Sequence, residues 1–427
     1  MRPVIAILFS LGLPLCAATF NVRDFGATGD GRTCDTTAIQ KALDACKDTG
    51  GTVEFPPGTY LCQPLTLHGQ TTVRVDAGAL LQASTNHADF MKHPGDWLKA
   101  RGASFLPLIR GSELTNLTLT GFGVIDGGGA VWWGAAEQAR QLRPGYTLPR
   151  PNLIALDRCK NVRIENLTLR NSPKFHLLPA DCDDLIISNV TILAPEHAAN
   201  TDAIDPSGHR ILITHCTLDV GDDNVAIKAA KKPAGQAFES EDITVTDCAF
   251  LHGHGMSIGS ETAGGVHHVV VRNCAFRDTE NGLRIKSDVR RGGLVEDITY
   301  QDITMSNVAP AITLTCLYRS DSSGDTNRTT AAAPLDAGTD PERRIPAYRD
   351  IHIINLTDFS PKAAGTIIGL PENCISNVVL ENVRITAAKS FDIRNARGVQ
   401  LKNVSITVAN GGPFTLENAE VSGLEGK

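Results

Sequence analysis

Four short polar strings fall between Asn200 and Lys286: NTDAID (Asn200–Asp205), GDDN (Gly221–Asn224), GHGMS (Gly253–Ser257) and RIK (Arg284–Lys286). Besides Asp205, they supply three carboxylates (Asp202, Asp222, Asp223), an imidazole (His254), a guanidinium (Arg284) and an ammonium (Lys286). A protonated carboxyl can give its proton to a leaving oxygen, and an ionised one can activate water or attack carbon. A guanidinium and an ammonium on alternate residues of one strand can grip a single carboxylate. The set suits acid–base cleavage within an anionic substrate. The bland alternative is that such residues serve as Asx-turns, and it fits Asn166, Asn189 and Asn403. It fits adjacent Asp222 and Asp223 less well, because like charges repel, and crowding should raise the pKa of one member.

Chemistry needs these strings side by side, and a repeat provides that. From Asn161 onward the unit recurs as NVRIENLTL, DLIISNVTI, HRILITHCTL, DITVTDCAF, HHVVVRNCAF, DITYQDITM, DIHIINLT, NVVLENVRI and GVQLKNVSI. Its central polar residues are Asn166, Asn189, His215, Asp247, Asn273, Asp302, Asn355, Asn382 and Asn403, with steps of 23, 26, 32, 26, 29, 53, 27 and 21; the 53 is read as about two units. Periods in the twenties mean a solenoid. The runs are rich in Val, Ile and Thr and alternate with period two, with no helical pattern between them. The fold class is therefore all-β, a right-handed parallel β-helix in which each coil adds a strand about 4.8 Å from the last.

Each polar string can be aligned on an isoleucine: Ile204, Ile227, Ile258 and Ile285. If these point inward, Ala203 and Asp205, Ala226 and Lys228, Ser257 and Gly259, and Arg284 and Lys286 form four rows on one outer face, with Asp202, Asp222, Asp223 and His254 at the entrance to the same strands. Small residues in three rows leave room for a ligand. Lys228 and Asp205 are expected to pair with each other.

The ends and the composition agree. Residues 1–18 carry one Arg, an apolar run from Val4 to Leu15 and then Ala17 and Ala18, the pattern of a signal peptide too short to span a membrane; residues 19–427 then form a single domain. Asp35 can N-cap a helix in which Ile39, Leu43 and Cys46 share a face, closing the first coil. Removing Arg2 moves the formal charge from −7 to −8 (39 Lys and Arg against 47 Asp and Glu), which argues against nucleic acid as partner. Of the 11 cysteines, ten remain after cleavage. Cys216, Cys248 and Cys274 occupy positions that are Leu, Val or Ile in other coils and read as a buried ladder. Cys34, Cys46 and Cys62, and Cys159 with Cys182, are the better candidates for bridges. No spacing suits a zinc site. No cofactor, metal or membrane partner is expected, and the chain is expected to be a monomer.

NTD, GDD, GHG and RIK, in this order and spacing, resemble the four signature motifs of the polygalacturonases of glycoside hydrolase family 28. The resemblance extends to VRDFGATGDG and GGTVEFPPGTY at the cap, to GVIDGGGAVWW, NSPKFH and NGLRIKSDV, and through DDNVAIKA and GHGMSIGSET to bacterial endo-polygalacturonases. Ala203 departs from the usual Gly after NTD without removing a functional group. The resemblance implies hydrolysis of α-1,4-galacturonosyl linkages in polygalacturonan or pectin by a secreted or periplasmic enzyme. It implies Asp222 as general acid, Asp202 and Asp223 holding and deprotonating water, His254 in support, and Arg284 and Lys286 on the galacturonate carboxylate. Asn200, His176 and Tyr318 become substrate contacts by the same resemblance, Tyr318 on the leaving-group side. Trp132 and Trp133 could stack on sugars or pack internally. Carboxyls about 5–5.5 Å apart go with retention and about 6.5–9.5 Å with inversion. One coil spacing lies nearer the first, so inversion is implied by the resemblance rather than by spacing.

Three other readings compete. A calcium-dependent lyase would use clustered aspartates to hold a cation, but His254 and the RIK pair do not suit it. A glycan-binding β-helix without activity explains the scaffold and not the three aspartates. An exo-acting hydrolase would differ in whether loops close one end of the cleft, one wall of which the polar stretch Ser320–Pro346 is expected to shape as a long loop beside the site; a hydrolase of another pectic polymer is disfavoured by the intact GHG and RIK strings.

Overall fold

A computed structural model describes residues 18–91, 105–142, 148–230, 239–289, 291–318, 345–359 and 362–424. Its strands join by parallel ladders into the coils of a β-helix. Each coil through the site has a long first strand, such as Gly208–Thr214, a short second one, such as Thr217–Asp219, and a third, such as Val225–Ile227. Alternation turns every second side chain inward, and the register stacks like on like. Val162, Leu185, Ile211, Ile243, Val269, Ile298, Ile351 and Val378 form one such internal ladder.

The repeat's central polar residues turn the corner between the first two strands. All nine have positive φ, from 51° to 62°. Asn, Asp and His enter this left-handed region more readily than other non-glycine residues. Their amides also tie coil to coil: Asn189 Nδ2 donates to Asn166 Oδ1 at 2.8 Å, and Asn403 Nδ2 to Asn382 Oδ1 at 2.7 Å. A second left-handed column, Asn161, Asp184, Arg210, Asp242, His268, Asp297, Asp350 and Asn377, lies within the first strands and was not read from the repeat.

Several expectations are corrected. The step of 53 is one coil, not two: Asp302 and Asn355 stand on strands Leu294–Ser306 and Ala347–Phe359, which pair directly. The extra length is an insertion after Tyr318, and most of the stretch read as a loop beside the site lies outside the described residues. A helix, Ala130–Leu142, lies before the repeats that begin at Asn161. Trp132 on that helix is buried, stacked on His87 at 3.8 Å with Phe90 and Phe105 edge-on, so it packs internally and does not face a sugar. At the cap, the helix Thr36–Ala45 buries Ile39 and Leu43 as expected. Asp35 holds the N-cap position, but its side chain makes no cap bond; its carboxylate accepts from the Thr28 and Gly29 amides at 2.8 and 3.0 Å. All ten described cysteines are free. Cys159 and Cys182 lie side by side on adjacent coils, a parallel arrangement poorly aimed for a bridge. Cys216, Cys248 and Cys274 are buried in a ladder, as expected. Residues 1–17, the expected signal, lie outside the described residues. Among those described, no helix is long and apolar enough to cross a membrane.

Candidate active site

The four polar strings lie on the third strands and on the turns leading into them. Ala226, Ser257 and Arg284 occupy one row, and Gly259 and Lys286 another, as expected. The first string is displaced by two residues: Ile204 pairs with Val225, not Ile227. Pro206 cannot donate to a ladder, and Ile204 makes only isolated bridges. This displacement sets Asp202 level with Asp223 on the next coil.

Backbone and amide contacts fix the turns. Thr201 Oγ1 donates to Ala198 O at 2.6 Å and accepts from Gly221 N at 3.0 Å, locking NTD to GDD. Asn224 clamps GDD to GHG: its Nδ2 donates to Leu218 O and His252 O, both at 2.9 Å, and its Oδ1 accepts from Gly255 N at 2.8 Å. Gly255 has φ +72°, and a Cβ there would sit 2.1 Å from Asn281 O. Only glycine fits that turn, and the turn brings His254 N within 2.9 Å of Asp222 O.

Asp223 is the electrostatic centre. It is buried, accepts from Lys286 Nζ at 2.7 Å and from Ser257 Oγ at 3.0 Å, and pairs closely with Arg284. Burial alone would raise its pKa. The charges of Arg284, Lys286, Lys228 and His254 outweigh burial and hold it far below the ordinary carboxylate range. Arg284 also donates through Nε to Ser257 Oγ at 2.9 Å. The small side chains of Ala226 and Ser257 therefore make room for the chain's own cations.

Asp222 is partly exposed and accepts from Asn200 N at 3.2 Å and Asn200 Nδ2 at 3.4 Å. His254 Nδ1 lies 3.1 Å from Asp222 Oδ1, and His254 Nε2 lies 3.2 Å from Glu280 Oε2. Against the penalty of burial, the charge and hydrogen bond of His254 bring Asp222 down to about 2. Burial would lower His254, but Asp222 and Glu280 bring it up to about 10. Asp202 behaves oppositely. Burial, then the charges of Asp222, Asp205 and Asp223, push it well above the ordinary value, and its Oδ1 has no hydrogen-bond partner. The expected raised carboxyl is therefore present, and it is Asp202 rather than Asp222 in the chain without substrate.

Tyr318 lies beside the cations, with Lys286 Nζ 5.1 Å from its ring centre. Asn200 is committed on both sides, to Asp222 and, through Oδ1, to Arg150 Nη2 at 2.8 Å. His176 does not reach the surface. It is fully buried, accepts from Ser172 N at 3.2 Å and has Nδ1 3.2 Å from Asp202 O, so it supports Asp202 from behind and cannot touch a ligand there. Lys228 lies 3.9 Å from Asp205, as expected, and 3.6 Å from Glu261. Sequence reasoning missed two residues. Arg150 is buried and binds Pro173 O and Ala199 O at 3.0 and 2.8 Å as well as Asn200. Glu280 stands just before NGLRIK. An arginine between prolines, or a glutamate in a turn, carries no signal in isolation. Asp222, Asp223 and His254 have ligand atoms within 4.8 Å of one another, but Arg284 and Lys286 already supply the positive charge that a cation would bring to Asp223.

Three carboxylates interleaved with His254, Arg284 and Lys286 can pass a proton to a leaving oxygen beside two buried cations. The family model described as Glycosyl hydrolases family 28 matches residues 47–336. The chain belongs to this family. It is a glycoside hydrolase, and its relatives within family 28 include an "Endo-polygalacturonase" of Pectobacterium carotovorum subsp. carotovorum, 33% identical over 376 residues, 84% of this chain and 86% of that one. Among solved structures, the polygalacturonase from Erwinia carotovora ssp. carotovora aligns over 97% of this chain and 99% of its own at 29% identity and a TM-score of 0.71. A hyperthermoactive exopolygalacturonase from Thermotoga maritima aligns over 91% and 92% at 25% identity and a TM-score of 0.73. The family 28 relationship thus spans the coils that carry all four polar strings.

Proposed function

We propose that this hydrolase is an exported enzyme that cleaves α-1,4-galacturonosyl linkages inside polygalacturonan with inversion. The observation that carries the reading is the pairing of two buried cations, Arg284 and Lys286, with Asp223 beside the partly exposed Asp222. An anionic sugar approaching this face meets positive charge next to Asp222, which receives the proton once substrate is bound. The relative named endo-polygalacturonase and the strings DDNVAIKA and GHGMSIGSET support endo action, and the apolar run Val4–Leu15 supports export.

In this mechanism Asp222 protonates the glycosidic oxygen as the bond to the anomeric carbon breaks. A water held by Asp202 and Asp223 attacks that carbon from the opposite face, and its proton passes to Asp202. Without substrate the shared proton sits on Asp202 and Asp222 is ionised. Moving that one proton from Asp202 to Asp222 converts the resting distribution into the working one. A substrate carboxylate competing with Asp223 for Arg284 and Lys286 adds negative charge beside Asp222 and favours the move.

The test is incubation with de-esterified polygalacturonan and chelator, following reducing ends, ultraviolet absorbance and product size together. Reducing ends without absorbance, in a mixture of oligomers, are expected. Monomer alone would mean exo action, and calcium-dependent absorbance would mean a lyase. The anomer released, followed by proton NMR, tests inversion.

A further inference from the structure

His254 carries a carboxylate on each ring nitrogen, and only one of them belongs to the four polar strings. Nδ1 faces Asp222 Oδ1 at 3.1 Å, with Asp223 Oδ1 at 3.9 Å, and Nε2 faces Glu280 Oε2 at 3.2 Å. An ionised carboxylate only accepts hydrogen bonds, so a ring with a proton on each nitrogen answers both approaches. A neutral ring would leave one nitrogen lone pair against an anion. The backbone of Glu280 is anchored beside the ring, because its N–H donates to Gly253 O at 2.7 Å and ties the turn before RIK to GHG. Its side chain is 61% exposed, so it reaches the imidazole from the solvent side.

We propose that Glu280 is a positioning residue of the active site, which, together with Asp222, brackets the His254 ring and keeps it a doubly protonated imidazolium. The assignment rests on the proposed role of Asp222 as the acid, because His254 acts on the reaction through that carboxyl. The charged groups facing the ring are Asp222 and Asp223 from the preceding coil and Glu280 and Arg284 from the following one; Arg284 opposes the imidazolium charge. Lys362 adds positive charge near Glu280. With Arg284 set against it, the imidazolium depends on both carboxylates. Glu280 is the one that can be changed without touching the reacting groups. It keeps the ring charged to higher pH and fixes which way its Nδ1–H points at Asp222.

The full chain labelled with ¹⁵N-histidine, titrated by NMR as wild type, Glu280→Gln, Glu280→Asp and His254→Gln, tests this directly; the last variant identifies the His254 signals. Glu280→Gln is expected to lower the pH at which His254 loses its second proton at least tenfold in proton concentration. Glu280→Asp should restore part of the shift. An unchanged His254 titration in Glu280→Gln overturns the proposal whether or not the chain cleaves polygalacturonan. In the pH profile of polygalacturonan cleavage, Glu280→Gln should move the alkaline limb of kcat/KM toward lower pH while leaving the acid plateau within about threefold of wild type. A shifted histidine with an unmoved alkaline limb would remove Glu280 from the reaction, and a uniform loss at every pH would mean a structural role alone.

Discussion

Lys286 Nζ lies 2.7 Å from Asp223 Oδ2 although the two residues stand two coils apart. Both side chains are about 95% or more buried, so Lys286 depends on Asp223, while Asp223 shares its charge between Lys286 and Arg284. Lys286→Ala leaves Asp223 with Arg284 as its remaining close cation, so stability should fall by about 1.5–3 kcal/mol, the worth of a hydrogen bond between charged groups. The substitution should also weaken binding of an acidic polymer more than of a neutral glycan. Urea unfolding and KM on polygalacturonan check the two effects separately. An unfolding midpoint equal to wild type would show that Asp223 does not depend on this partner.

Asp222→Asn keeps the shape of the carboxyl and the contacts with Asn200 but cannot deliver a proton. Turnover should fall by about 10²–10⁴-fold, the range for a positioned acid, with little change in substrate binding. Near-normal turnover would rule out Asp222 as the acid.

Asp358 occupies an internal ladder between Met305 and Ile385, is 3% exposed, and has no hydrogen-bond partner on either carboxylate oxygen. Burial pushes it up to about 7 from 3.8. A raised acid stabilises the fold below its unfolded pKa, and that contribution is lost as pH rises from about 4 through 7. Asp358→Leu should therefore be more stable than wild type at pH 8, by roughly 2–4 kcal/mol, and the gain should shrink toward pH 4. Thermal unfolding across this range reads the slope, and parallel curves for the two proteins would contradict it.

Gly255→Ala places a methyl group 2.1 Å from Asn281 O in a left-handed turn. The turn must move, and His254 with it. A loss of roughly 1–3 kcal/mol in stability is expected, with a larger loss of turnover than of binding. Normal kcat would mean that the His254 position is not set by this turn.

Arg150→Lys keeps a positive charge but loses the fork that reaches Pro173 O, Ala199 O and Asn200 Oδ1 together. Asn200 would then hold Asp222 less firmly, and kcat should fall with KM nearly unchanged. Equal losses in the two parameters would assign Arg150 to binding instead.

Much of the molecule is legible because a solenoid repeats its own physics. Val and Ile at period two, with Asn, Asp or His at the left-handed corner, mark each coil independently, and Cys216, Cys248 and Cys274 fall into place by that periodicity alone. GDD, GHG and RIK were legible for the same reason, since each lies within a few residues of an inward isoleucine. The two-residue displacement of Ile204 and the single long coil between Asp302 and Asn355 break the period, and nothing local announces them.

The sequence alone determined the coil, the inward and outward faces and the gathering of Asp202, Asp222, Asp223, His254, Arg284 and Lys286, because strand alternation and parallel stacking leave one arrangement for residues in step. Only the tertiary structure decided their states. Which carboxyl favours the proton depends on burial and on charges brought from other coils: Arg284 and Lys286 lower the basicity of Asp223, His254 lowers that of Asp222, and Asp202, buried among like charges with no hydrogen bond on Oδ1, is pushed upward. The recruitment of Arg150 and Glu280 and the withdrawal of His176 behind Asp202 depend likewise on distances that sequence spacing does not encode.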